Sequence, residues 1–179
     1  QKQLNLYENL RAISGIEGQV IELNSTELAG AFIFRSKQKG LFDDGGTIIK
    51  AKNGWWVRDF VYDRNNPIQL KWFQIQEGDD ITGLLKTLAK LYAPYLYLQL
   101  PDNISRLGLN YIDLSNYRIT DFVLLEASTP IEIVQSNLVK DANKLIEMND
   151  YRHVYIGGPK LNLTFSGLHR GVRGGHNVN

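Results

Sequence analysis

Ile112, Ile133 and Val154 sit at equal intervals of about twenty residues, each at the centre of a short β-forming run. A repeat of that length restricts the second half of the chain more than any other feature, because it points to a solenoid whose short strands stack on those of the turns before and after. The runs are Tyr111-Ile112-Asp113-Leu114, Phe122-Val123-Leu124-Leu125, Ile131-Glu132-Ile133-Val134, Lys144-Leu145-Ile146, His153-Val154-Tyr155-Ile156 and Leu161-Asn162-Leu163-Thr164-Phe165. Polar breaks separate them, as a coil of strands and turns requires.

Upstream of the repeat, Tyr95 to Leu100 alternates as a strand does. Before it, Asp80 to Ala93 reads as an amphipathic helix with Ile81, Leu84, Leu85, Leu88 and Leu91 on one face and Lys86 and Lys90 on another. Asp80 is placed to cap its N-terminus and Pro94 to end it. A solenoid end exposes unpaired strand edges and an open apolar core, and a helix laid over that end shields both. The first part of the chain is different. Leu4 to Ile13 has helical spacing up to Gly15, and short strands are expected at Val20–Leu23, Ala31–Phe34, Thr47–Lys50, Trp55–Arg58 and Leu70–Phe73. Asp43-Asp44-Gly45-Gly46 signals a turn, and Asn53-Gly54 a hairpin whose central positions favour positive φ. The expected organisation is a β-rich module over residues 1–77, followed at 78–179 by a capping helix and the start of a parallel β-helix.

Composition narrows the chemistry. The 179 residues include no cysteine, which excludes disulfides, thiol catalysis and cysteine-ligated metal. A formal net charge of +1 gives no reason to expect nucleic-acid binding, and no apolar run is long enough to suggest membrane insertion. No cofactor is expected, and no metal site, since no carboxylate stands at a diagnostic spacing from His169 or His176. The chain starts without Met and ends in Gly174-Gly175-His176-Asn177-Val178-Asn179, and it is expected to be part of something longer.

The ordered series Leu6-Tyr7-Glu8-Asn9-Leu10-Arg11, Asp43-Asp44-Gly45-Gly46-Thr47-Ile48-Ile49, Asn53-Gly54, Trp56-Val57-Arg58-Asp59-Phe60, Leu70-Lys71-Trp72-Phe73, Gly78-Asp79-Asp80 and Tyr95-Leu96-Tyr97-Leu98-Gln99-Leu100-Pro101 resembles the front part of phage tailspikes, in the pectate-lyase-like superfamily. The pattern departs from the family at Gln74, at Ala93-Pro94 and at Asp102, where glycines are common. The resemblance implies a right-handed parallel β-helix, a homotrimer, a place in the virion tail after assembly in the host cytoplasm, contact with other phage tail proteins, and recognition of a bacterial capsule or O-antigen polysaccharide, often with its depolymerisation. Alternatives are a secreted monomeric polysaccharide lyase or hydrolase of the same superfamily, and a fibre segment without catalysis.

Hydrolysis of a polysaccharide needs two carboxyl groups at a defined separation. Asp113, Asp121, Glu126, Glu132, Asp141, Glu147 and Asp150 are available. Asp113 and Glu132 lie between apolar strand residues about one repeat apart, and are the catalytic candidates, although outward carboxylates on strands are usually just solvated. Elimination needs a base and a stabiliser of charge. The tail places His169, Arg170, Arg173 and His176 close together in sequence, a group able to hold acidic sugars, and a solvated loop is the plainer reading of the same residues. Trp55, Trp56 and Trp72 could stack on sugar rings, but alternation turns one of the first two inward, and core packing is the commoner fate of such residues.

Overall fold

The computed structural model describes residues 3–4, 6–135, 145–148 and 153–165. The chain divides into two compact units, one running to Tyr62 and including Lys71–Gln74, the other formed by Asp63–Leu70 and the chain from Ile75 onward.

The first unit is a five-stranded sheet with one short helix. Its strands are β1 (Gln3–Leu4), β2 (Val20–Leu23), β3 (Gly30–Arg35), β4 (Ile48–Lys50) and β5 (Trp55–Arg58), in the order β1-β2-β3-β5-β4. All pairings are antiparallel except β1 with β2. Alternation sends Ile21, Leu23, Phe32, Phe34 and Trp56 to one face, where they meet Tyr7 and Leu10 of α1 (Tyr7–Arg11). The helix is shorter than its apolar spacing predicts.

The Asp-Asp-Gly-Gly turn is built by its carboxylates. Asp44 accepts hydrogen bonds from the amides of Gly46, Thr47 and Ile48 at 2.7–2.9 Å. Asp43 accepts from the Gly45 and Lys50 amides and from the Arg11 guanidinium at 2.9 Å. The Asn53-Gly54 turn forms where expected, but for another reason. Neither residue has positive φ. A Cβ on Gly54 would lie 2.5 Å from the Phe34 ring and 2.6 Å from the Arg35 carbonyl, so glycine answers a close approach rather than a left-handed backbone.

Beneath this sheet Arg58 is almost fully buried. Its guanidinium donates to the carbonyls of Gly46 (2.9 Å), Ala29 (2.9 Å) and Leu28 (3.2 Å) and to the Tyr7 hydroxyl (2.8 Å). It also lies 4.5 Å from the Phe32 ring centre and 4.2 Å from that of Trp72. A buried charge demands such complete satisfaction. Leu70–Phe73, expected as a strand, is a 3-10 turn. Trp72 in that turn stacks on Arg58, and its carbonyl accepts the Tyr7 hydroxyl at 2.5 Å, so tertiary contacts override the local strand preference.

The second unit is a set of stacked parallel turns. Its strands are β6 (Ile68–Gln69), β7 (Tyr95–Gln99), β8 (Arg106–Gly108), β9 (Ile112–Asp113), β10 (Asp121–Leu125), β11 (Ile131–Gln135), β12 (Ile146–Glu147), β13 (His153–Gly157) and β14 (Leu161–Phe165). They form three sheets, ordered β13-β10-β7-β6, β14-β11-β8 and β12-β9, and every pairing is parallel. Leu96, Phe122 and Val154 stand in register, as do Leu98, Leu124 and Ile156, so aliphatic and aromatic side chains stack from turn to turn inside the coil.

The period differs from the one read in the sequence. Ile112, Ile133 and Val154 belong to β9, β11 and β13, in three different sheets, and are not equivalent positions. The equivalent positions step unequally, from Tyr95 to Asp121 to His153, because the loops between strands vary in length.

Helix α2 (Thr82–Tyr92) packs on β7 and β9 through a buried face that includes Leu85, Leu88 and Ala89. It starts after Ile81 rather than after Asp80. Even so, the Asp80 carboxylate accepts from the Thr82 amide at 2.9 Å and hydroxyl at 2.6 Å, which is the work of a cap. Asp80 also makes a parallel bridge to Gly108 at the edge of β8. The first turn of the stack thus consists of β6 beside β7, Asp80 beside β8, and α2 against β9.

Candidate functional site

With Leu96, Leu98, Phe122, Leu124, Val154 and Ile156 turned inward, the residues between them share the outer face of the β13-β10-β7-β6 sheet. Register sets them in rows. Tyr95, Asp121 and His153 form one row, and Tyr97, Val123 and Tyr155 the next. In the third row Gln99 and Leu125 lie beside Gly157, with Gln69 of β6 donating from its side-chain amide to that of Gln99 at 3.1 Å.

Tyr95 and Tyr97 are stacked, their rings 5.9 Å apart and nearly parallel. The Tyr97 hydroxyl donates to the Asp121 carboxylate at 3.2 Å. Burial, then the neighbouring Asp121 charge and the hydrogen bond to it, push the Tyr97 phenol up to about 12. At neutral pH it is therefore a donor and not a base.

A tight turn approaches this face. The Asp63 carboxylate accepts from the amides of Asn65 and Asn66 at 2.8 Å, which closes the turn just before Pro67. The turn presents Arg64, whose guanidinium meets His153 Nε2. Because guanidinium is a donor only, the imidazole nitrogen accepts in this arrangement. Arg64, Asn65, Val123, Leu125 and Tyr155 enclose a cleft of about 210 Å³.

Other carboxylates of the second unit have structural work. Glu77 accepts from the Ser105 amide (2.8 Å) and hydroxyl (2.6 Å) and from the Arg106 amide (2.7 Å). These bonds hold its carboxyl below the usual range. Asp102 does the same for the Ser128 amide and hydroxyl, and Glu126 accepts from the Lys160 amide. Each ties one loop to the loop of the next turn. Asp80 does so as well, through Asn110 Nδ2 at 2.8 Å. Partial burial tends to raise the Asp80 carboxyl, but its bonds from Thr82 and Asn110 prevail and lower it.

Asp113 and Glu132 lie in different sheets. Asp113 is exposed on β9, where its register partner is Glu147, and it accepts from the Ser115 amide and hydroxyl at 2.9 and 2.6 Å. Glu132 is half-buried on β11 between Arg106 and Asn162. His169, Arg170, Arg173 and His176 lie outside the described residues, as do Asp141 and Asp150. Trp56 is buried against Phe34, and its indole N–H donates to the Leu10 carbonyl at 3.1 Å. Trp55 is half-buried under the Lys50 ammonium, and Trp72 under Arg58. The tyrosine rows and the place of Arg64 beside them escaped the sequence reading. Their signal was the tyrosine at alternate positions of β7, which is meaningful only once the register is known.

No family model and no curated protein matches the chain. A solved structure does, over 96% of this chain, with a TM-score of 0.61 and 8% sequence identity: the enzymatically active domain of tailspike protein 4 of bacteriophage CBA120. The β-rich fold of this chain matches that domain's. The chain spans 24% of the length of that solved domain. Among the described residues, no group of three or more His, Cys, Asp or Glu side chains is placed to hold a metal ion, and no helix is long and apolar enough to cross a membrane.

Proposed function

We propose that this chain is the front part of a phage tailspike, a virion protein that recognises a bacterial surface polysaccharide. In this reading the stacked turns are the opening of a right-handed parallel β-helix, the protein is a homotrimer joined to other tail proteins, and the complete protein depolymerises the capsule or O-antigen it binds. One observation carries the proposal. The fold of this chain, an antiparallel sheet unit followed by a helix and parallel turns, superposes on the tailspike domain over 96% of the chain with a TM-score of 0.61.

Light scattering on a sizing column tests the assembly. Three times the monomer mass is expected, and a clean monomer favours the secreted monomeric enzyme instead. Incubating the longest natural chain with capsule extracted from the host tests the activity. Falling viscosity is expected, accompanied by new reducing ends if the bond is hydrolysed, or by ultraviolet absorbance from an unsaturated uronate if it is eliminated. Binding without any fall in viscosity would leave a fibre segment that adheres but does not cut. The commitment of Glu77, Asp102 and Glu126 to holding loops together favours this adhering, non-cutting role for this part of the chain.

A further inference from the structure

We infer that the cleft between the Arg64–Asn65 turn and strands β10 and β13 is a subsite for one acidic sugar residue, a uronate whose carboxylate meets the Arg64 guanidinium. The inference rests on the polysaccharide-binding reading and names the sugar class that this face takes.

Size is the first consideration. About 210 Å³ falls below the ~300–1,000 Å³ of pockets that enclose a whole small molecule, so the cleft suits one ring of a longer chain. Its walls come next. Leu125, resting beside the buried Val123, gives an apolar floor next to the Tyr155 ring, a surface that matches the C–H face of a pyranose. Asn65 adds an amide that can both donate to and accept from sugar hydroxyls. Charge then selects the substituent. Among the described lining residues Arg64 alone is charged; Asp121, in the row of His153, accepts the Tyr97 hydroxyl and does not line the cleft. A neutral sugar would leave the cation without a counter-charge from the ligand. A carboxylate would meet it through charge-assisted, fork-shaped hydrogen bonds. His153 orients the guanidinium from the strand side, so the group is partly fixed before any ligand arrives.

The test is a nitrogen–proton NMR titration of the 179-residue chain with methyl glucuronide, methyl glucoside and acetate. The glucuronide is expected to shift the amides of Asn65, Val123, Leu125 and Tyr155 and the Arg64 side-chain signal, with at least about tenfold tighter binding than the glucoside, as expected of a charged hydrogen bond. Arg64→Gln should remove that preference. Arg64 is exposed, so an unchanged circular dichroism spectrum should accompany it. Tyr155→Ala should weaken the glucuronide while leaving acetate unaffected. Equal affinity for glucuronide and glucoside, an unaltered preference in Arg64→Gln, or acetate binding as tightly as the glucuronide would each overturn the acidic subsite. None of these outcomes touches the wider reading, which stands or falls on host capsule binding by the longest natural chain.

Discussion

In the hairpin unit one guanidinium joins three carbonyls, a phenol and two aromatic faces, and those partners come from residues as far apart in sequence as Tyr7 and Trp72. Among the described residues the stacked turns have no such centre. Their order comes from rows such as Leu98, Leu124 and Ile156, each side chain resting on its equivalents in neighbouring turns, and from loop carboxylates that repeat the same contact one turn later. The contrast is between a structure specified by one irreplaceable group and one specified by recurrence. Damage should therefore be concentrated in the first and local in the second.

The sharpest way to break this comparison is Arg58→Met. It leaves the Leu28 and Ala29 carbonyls without their guanidinium donor and takes one partner from the Gly46 carbonyl and the Tyr7 hydroxyl, at an expected cost of about 3–5 kcal/mol in urea denaturation, since each buried unsatisfied group costs about 1–3 kcal/mol. A loss below about 1 kcal/mol would show that the unit has no centre.

Leu124→Ala should cost somewhat less, about 2–4 kcal/mol, as a cavity opened in the middle of the stack. Hydrogen exchange sharpens the contrast. Faster exchange should stay within β7, β10 and β13 in this variant, whereas Arg58→Met should expose amides throughout the five-stranded sheet. Spread of the Leu124→Ala effect into that sheet would contradict the local picture.

The smallest effect at neutral pH appears on raising it, and it involves both units. Burial, opposed by the Arg58 charge and hydrogen bond, pushes Tyr7 up to about 12, and Tyr97 also stands at about 12. Below the ordinary value of 10.0 both phenols are protonated whether the chain is folded or not, and their contribution to stability is fully present. Between that value and about 12 the unfolded chain gives up protons that the folded chain keeps, so stability falls as pH rises. Denaturation midpoints across this range, with tyrosinate absorbance followed in parallel, should show the loss. Tyr97→Phe should remove part of it. A flat profile would mean that neither hydroxyl is held as described.

Much of the fold was legible because strand alternation and helix spacing are local properties. Val20–Leu23, Trp55–Arg58, the helix before Pro94 and the strands from Tyr95 onward are close to where their patterns put them. Three kinds of information were not local. Register is one: equal spacing suggested equivalence for Ile112, Ile133 and Val154, and only strand pairing distributes them over three sheets. Override by tertiary contact is another, as in Leu70–Phe73, where the place of Trp72 over Arg58 decides the backbone. The third is the short strand: Arg106–Gly108 has too few residues to show a period, and Ile68–Gln69 fewer still. The candidate face depends on the first of these, register, since Arg64, Asn65, Val123, Leu125 and Tyr155 share no motif and meet only through the stacking of turns.

The placing of α2 in the first turn, where a third strand would otherwise lie, gives the stack a direction. A helix has spent its amides and carbonyls internally, so it offers β9 side-chain packing but no backbone template on that side. Its neighbours in that turn are the two-residue β6 and the single bridge at Asp80, both too brief to recruit a foreign strand. Ordered growth of the coil therefore has a fixed origin: each turn can copy its register from the one before it, as masonry courses copy a foundation, and an error in alignment at β7 would be inherited by β10 and β13.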